Sequence, residues 1–317
     1  MNIVILDGRA LNPGDLSWTD LEALGSCTVY DSTEESEILT RIGDAEIIFT
    51  NKVPVTAETI LQSPNLKYIG VFATGYNVVD TAAAKEAGVA VTNIPAYSTE
   101  SVAQMVFALL LEVCNHVGEH SRVVHAGEWV RSKDFCFWKY PVIELAGKTI
   151  GIVGFGLIGQ AVARIARAFL MKVIVYTRTP DPALETDSLR FAGFEELLSE
   201  ADIISLNCPL TPETTGLIDK AALAKMKPSA ILINTARGGV IVEEDLRDAL
   251  NDGIIAAAAV DVVSKEPMEA DNPLLSAKNM IFTPHIAWAA TACRQRLMDI
   301  AVGNLKSFLD GEPVNVV

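Results

Sequence analysis

Apolar stretches long enough to cross a bilayer are missing from this chain: none approaches the ~20 residues that a spanning helix needs. Met1 runs straight into the strand-like Ile3-Val4-Ile5-Leu6, which leaves no room for a signal peptide, so a soluble cytoplasmic protein is expected. Basic residues are also short, with 25 Lys and Arg against 40 Asp and Glu and a net charge of −15. Such a surface repels nucleic acid and anionic membranes, so neither is an expected partner, and an anionic ligand must be captured by a local site. Cysteine is sparse as well: Cys27, Cys114, Cys136, Cys208 and Cys293 are odd in number, scattered, and lack metal-like pairing. They read as reduced thiols that pack rather than react, and no metal site is expected.

What is present is hydrophobic content of 50% over 317 residues, enough for two α/β domains with buried parallel strands. The most informative stretch spans residues 148–178. An apolar strand (Thr149-Ile150-Gly151-Ile152-Val153) runs into the loop Gly154-Phe155-Gly156-Leu157-Ile158-Gly159. A helix follows, with Val162, Ile165, Ala166 and Phe169 at helical spacing, then a second strand, Val173-Ile174-Val175-Tyr176. Gly154 permits a tight turn, Gly156 removes a Cβ from the path of a pyrophosphate, and Gly159 lets helix and strand approach. The amides and dipole at the helix start complete a dinucleotide-phosphate site.

Before this unit, strands are expected at 3–6, 28–30, 47–50, 68–72 and 89–91, forming an open-sheet domain. The loop Ala73-Thr74-Gly75-Tyr76-Asn77 leaves the carboxyl end of a buried strand; Gly75 either offers amides to a substrate carboxylate or simply makes a turn. A long helix is predicted over 99–119. Residues 120–146 are weakly periodic and rich in aromatics (Trp129, Phe135, Phe137, Trp138, Tyr140), suited to a subunit interface or to packing over a cleft. Beyond the glycine loop, strands at 203–206, 231–234, 257–260 and 280–282 extend the first two to a six-strand doubly wound sheet. A helix at 290–310 ends the pattern, and 313–317 returns to the first domain, so the second domain is inserted into the first.

Three polar residues follow the late strands: Arg237 in Asn234-Thr235-Ala236-Arg237-Gly238-Gly239, Glu266 in Asp261-Val262-Val263-Ser264-Lys265-Glu266-Pro267, and His285 in Thr283-Pro284-His285-Ile286-Ala287-Trp288. Strand carboxyl ends on one edge converge on one crevice. Hydride transfer to a carbonyl needs a cation for the substrate carboxylate, which the Arg237 fork could supply, and a proton donor, for which His285 is suited. A Glu266 carboxylate on one imidazole nitrogen would stabilise the imidazolium and keep the acid loaded. Taken singly, the three also read as a surface cation, a solvated loop charge and a core histidine; their joint placement favours chemistry.

These motifs, with Cys208-Pro209-Leu210-Thr211, closely resemble the D-isomer-specific 2-hydroxyacid dehydrogenase family over essentially the whole length. The resemblance implies an α/β fold of two open parallel sheets: a Rossmann NAD(P)-binding domain, 99–287, inserted into a flavodoxin-like substrate domain, 1–98 with 288–317. It implies that Arg237 binds the substrate carboxylate and carbonyl, that Glu266 pairs with His285, and that His285 is the acid/base. It further implies carboxylate binding by Thr74 and Gly75, with Trp288 in the substrate pocket, and dinucleotide contacts from residues 154–159, Cys208, Pro209, Thr214, Thr235, Ala236, Arg237, Asp261 and His285. A homodimer through the nucleotide-binding domains follows from the same likeness. Asp134-Phe135-Cys136-Phe137-Trp138 and His285-Ile286-Ala287-Trp288 look like the glycerate dehydrogenase or hydroxypyruvate (glyoxylate) reductase branch, with phosphoglycerate and D-lactate as alternative substrates.

One departure bears on the cofactor. NAD-preferring members place an acid at the end of the second strand, whereas this chain has Tyr176-Thr177-Arg178-Thr179. Without that carboxylate a 2′-phosphate meets no repulsion, and Arg178 with the hydroxyls of Thr177 and Thr179 could hold it, so NADP(H) is favoured and NAD(H) remains possible. A reading from another class is a dinucleotide-sensing corepressor or scaffold on the same fold; the intact acid/base set and short ends argue for the enzyme.

Overall fold

Aliphatic runs of three to five residues alternate with short helices along the chain, and in a computed structural model describing residues 1–317 those runs become twelve parallel strands in two sheets. The chain divides into two compact units, Met1–Ser98 with Trp288–Val317, and Thr99–Ala287.

In the first unit the sheet order is β2-β1-β3-β4-β5, from β1 (Asn2–Ile5), β2 (Ser26–Val29), β3 (Ile47–Thr50), β4 (Tyr68–Val71) and β5 (Ala90–Thr92). This is the flavodoxin-like order. Alternation along the strands divides the core between two faces. Ile3, Ile5, Ile47, Phe49 and Tyr68 pack with Leu297, Met298 and Leu305 of the carboxyl-terminal helix Thr291–Leu309, whereas Val4, Ile48, Ile69 and Val71 pack with Ile38, Ile42, Ile60 and Ala84. The tail returns to this unit: Val316 bridges Thr92, and the Val317 amide donates to the Val91 carbonyl at 3.0 Å.

The second unit is seven-stranded, not six. It contains β6 (Thr149–Val153), β7 (Lys172–Tyr176), β8 (Leu189–Phe191), β9 (Ile203–Leu206), β10 (Ile231–Asn234), β11 (Ala257–Val260) and β12 (Met280–Phe282), ordered β12-β11-β10-β9-β6-β7-β8. Numbered within the unit this is 3-2-1-4-5-6-7, the Rossmann order with one added strand. The missed strand, β8, is three residues at the sheet edge with Arg190 in its middle, too short and too polar to show a strand pattern. Ile150, Ile152, Val173 and Val175 pack on one face beneath the helices Thr99–Asn115 and Leu157–Ala168; Val153, Ile174, Ile204 and Leu232 pack on the other.

The predicted helix over 99–119 stops at Asn115. His116 adopts a left-handed backbone (φ 48°), which no α-helix continues through, and a second helix, Val117–His125, starts afterwards. The turn is held by the His116 ring against Tyr140, with centroids 4.7 Å apart, and by the Gly118 amide on the Glu112 carboxylate. No single helix is long and apolar enough to cross a membrane. Three cysteines are buried and Cys27 partly so; burial pushes the Cys27 and Cys114 thiols up to about 11, which leaves them protonated packing groups. Cys136 departs from that expectation and lies exposed.

Candidate active site

The glycine loop leaves β6 and enters the helix Leu157–Ala168, whose N-cap, Gly156, brings no side chain to the first amides. Gly154 has φ +93°, and a Cβ there would lie 2.8 Å from the Asn207 carbonyl and the Cys208 nitrogen. A Cβ on Gly159 would lie 2.2 Å from the Gly154 oxygen, so the helix sits as close to the turn as backbone allows. Gly156, by contrast, has open space on its Cβ side, the room a pyrophosphate requires.

Two further atoms fit a dinucleotide at this edge. The Asn207 Oδ1, just past β9, and the Thr235 Oγ1, just past β10, are buried without a hydrogen-bond partner. Buried polar atoms are rarely left so, and a polar ligand would satisfy both. Thr235 was legible in the sequence; Asn207 was not, although a polar residue directly after an apolar strand was the available signal. Cys208 is buried, and Thr214 turns its hydroxyl inward, donating to the Pro209 carbonyl at 2.7 Å and accepting from the Thr211 amide at 2.8 Å. Thr177 is half-buried and Arg178 and Thr179 are exposed at the end of β7. The neighbouring Glu213 carboxyl is held below its ordinary range mainly by the Thr211 hydroxyl, with a smaller effect from the Arg178 charge, so Arg178 lies within electrostatic reach of the loop after β9.

The late strands deliver the other group. After β10, the buried Asn234 clamps its own turn: Oδ1 accepts from the Ala236 amide at 3.0 Å and Nδ2 donates to the Arg237 carbonyl at 2.9 Å. Arg237 is exposed at the tip of that turn, one Nη1 donating to the Ala236 carbonyl at 2.7 Å. After β11, Asp261 is 1% exposed and its carboxylate accepts from the amides of Ile286 (2.9 Å) and Ala287 (2.8 Å) and from the Thr283 hydroxyl. Its carbonyl also accepts from the His285 amide at 2.8 Å. Asp261 thereby fixes the turn on which His285 sits with a left-handed backbone (φ 55°), a strained conformation for a non-glycine residue. The imidazole Nδ1 lies 2.6 Å from Glu266 Oε2, with both side chains about one-third exposed (31% and 33%). An ionised carboxylate only accepts, so Nδ1 carries the proton and Nε2 is the ring nitrogen left for exchange.

Thr74, Gly75 and Trp288 belong to the first unit. Thr74 is tied down by its hydroxyl on the Ile94 carbonyl and by Asn93 Nδ2 on its own carbonyl, both 2.8 Å. Trp288 is partly buried against the core that includes Phe72 and Leu297. Sequence reasoning missed Asp7, which follows β1: its carboxylate accepts from the amides of Asn51 (2.7 Å), Lys52 (2.6 Å) and Val53 (3.2 Å) and so fixes the loop after β3. Burial raises the pKa of this carboxyl despite those bonds.

Comparison with known proteins identifies the family. The family described as "D-isomer specific 2-hydroxyacid dehydrogenase, NAD binding domain" matches residues 107–287. The hydroxypyruvate reductase of Blautia hydrogenotrophica is 57% identical over 320 aligned positions, covering 100% of this chain and 99% of that protein. The glycerate dehydrogenase of Methylorubrum extorquens is 43% identical, covering 91% and 90%. Among solved structures, an acyclic imino acid reductase in complex with NADPH and D-Arg superposes with a TM-score of 0.83 at 31% identity, covering 100% of both chains. The chain therefore belongs to the D-isomer specific 2-hydroxyacid dehydrogenases and is an oxidoreductase that uses a nicotinamide dinucleotide.

Proposed function

We propose that the enzyme is a hydroxypyruvate (glyoxylate) reductase, or glycerate dehydrogenase, with His285 as its acid/base. The observation that carries the chemistry is the 2.6 Å contact of Glu266 with His285 Nδ1, on the same sheet edge as the Arg237 turn. The full-length 57% likeness to a hydroxypyruvate reductase supports the substrate class. A bound nicotinamide would supply a hydride to the carbonyl carbon. Arg237 holds the substrate carboxylate and polarises the carbonyl through its fork. His285 gives its Nε2 proton to the oxygen as C=O becomes CH–OH, and Glu266 holds Nδ1 and with it the orientation of the ring. In the reverse direction His285 takes the hydroxyl proton back at Nε2.

Replacing the Arg237 fork with a point charge in Arg237→Lys should raise KM for the keto acid about tenfold, one charge-assisted bond's worth, with a smaller change in kcat. Steady-state kinetics check this; an unchanged KM would detach Arg237 from the substrate.

NADP(H) is the favoured cofactor, on the strength of Thr177-Arg178-Thr179 in place of an acid at the end of β7. A panel of 2-keto acids assayed with each cofactor tests substrate and cofactor together. Hydroxypyruvate should give the highest kcat/KM, and NADPH should exceed NADH about tenfold, again one charge-assisted contact; a strong NADH preference rejects the cofactor assignment. The free cysteines fit the reducing cytoplasm. The exposed Trp129, Phe135 and Trp138 fit burial against a second copy in a homodimer.

A further inference from the structure

Glu243 opens the helix Glu243–Asn251 yet is only 7% exposed. An acid in a first turn ordinarily faces water, where the helix dipole favours it; buried, it needs donors. Three reach it, all from the segment between β11 and β12. Oε1 accepts from the Ser264 amide at 2.7 Å, and Oε2 accepts from the Ser264 hydroxyl at 2.8 Å and from Asn272 Nδ2 at 2.9 Å. One carboxylate thus pins the peptide joining Val263 to Ser264.

A second segment packs closely on the same peptide. A Cβ on Gly238 would lie 1.9 Å from the Val263 carbonyl carbon and 2.3 Å from the Ser264 nitrogen, so the backbone next to Arg237 rests directly on it. Glu266 follows two residues later; its Oε1 accepts from the Val263 amide at 3.3 Å while its Oε2 holds His285. The turn that carries the guanidinium and the pair that carries the proton are therefore both referenced to the backbone of Val263 and Ser264.

We infer that Glu243 is a positioning residue for the reaction. It acts through Ser264 and Asn272, keeping the Arg237 turn and the Glu266–His285 pair in register. The inference rests on the roles proposed above for those three residues.

The full-length enzyme carrying Glu243→Ala or Glu243→Gln, assayed with hydroxypyruvate and its preferred cofactor, tests this. Alanine removes every acceptor and should lower kcat and raise the keto-acid KM, each about tenfold, as expected of a reacting pair loosened by less than an ångström. Glutamine keeps the acceptor for the Ser264 amide but strands Asn272, and should lie between alanine and wild type. The dinucleotide Kd, read by fluorescence, should stay within about twofold because the glycine loop is untouched. A merely structural residue would shift Tm and leave kcat per folded enzyme and KM unchanged. That outcome in Glu243→Ala overturns the inference; should alanine not fold, wild-type kcat and KM in Glu243→Gln overturn it equally. His285→Ala assayed in parallel separates the two levels. Its collapse beside normal Glu243 variants sinks only the positioning role, whereas its near-normal turnover sinks the acid/base reading and this inference with it.

Discussion

His285→Ala is expected to lower kcat for keto-acid reduction by about 10²-fold or more, the ordinary contribution of a positioned general acid. Dinucleotide affinity should change little. The argument is geometric: Glu266 occupies Nδ1 at 2.6 Å, so Nε2 is the nitrogen from which a proton can leave, and no other histidine lies after a strand of this sheet. The glycine loop and the orphan atoms of Asn207 and Thr235 lie at other strand ends, so removing the imidazole leaves the glycine-loop amides in place. Because position 285 is left-handed, alanine also adds backbone strain. His285→Asn controls for this, since asparagine tolerates that conformation better and its amide cannot act as a general acid. Both variants should be slow, and a fast His285→Asn enzyme would assign the alanine defect to strain and remove the imidazole from the chemistry. Rates with saturating cofactor and a fluorescence titration of the dinucleotide supply both readings.

The parts of this site that were readable from the sequence are those whose partners lie nearby in the chain or at a predictable strand end. Aliphatic runs such as Ile231-Leu232-Ile233 announce buried parallel strands, and parallel order then puts Arg237, Glu266 and His285 on one edge. The helix Glu243–Asn251 is likewise marked by its apolar positions, Leu246, Ala249 and Leu250, at helical spacing. Its first side chain was opaque. The carboxylate of Glu243 meets donors 21 and 29 residues away, and an acid at a helix start looks like a solvated, dipole-favoured group until tertiary packing buries it. Asp7 escaped for the same reason, its amide partners lying 44 to 46 residues on. His116 shows a different limit: histidine has no breaker signature, and the turn there is explained only by tertiary contacts, its ring tilted against Tyr140 and the Gly118 amide on the Glu112 carboxylate. Asp261 sits between the two cases. Its place after β11 was evident, but not that its carboxylate is occupied by the amides of the His285 turn.

Gly238→Ala should be among the most damaging single-methyl changes in the protein, with kcat/KM reduced about 10²-fold and stability lowered by about 1–3 kcal/mol. The need for glycine here is space, not a positive φ. An alanine Cβ would fall 1.9 Å from the Val263 carbonyl carbon and 2.1 Å from its oxygen, and backbone cannot swing aside as a flexible side chain can. Either the Arg237 turn or the segment carrying Glu266 must retreat by more than an ångström to reach ordinary contact at 3.4 Å or beyond. The first would lift the guanidinium from the substrate carboxylate; the second would draw Glu266 away from His285. Two observations separate these routes: a rise in KM with modest loss of kcat marks a displaced Arg237, and loss of kcat at unchanged KM marks a broken acid pair. The adjacent glycine is the internal control. A Cβ on Gly239 meets only the Leu210 side chain, at 3.2 Å, and that leucine is 45% exposed and free to turn away, so Gly239→Ala should keep most of the activity. If Gly238→Ala were as active and as stable as Gly239→Ala, the close contact between these two loops would have no part in holding the reactive groups together.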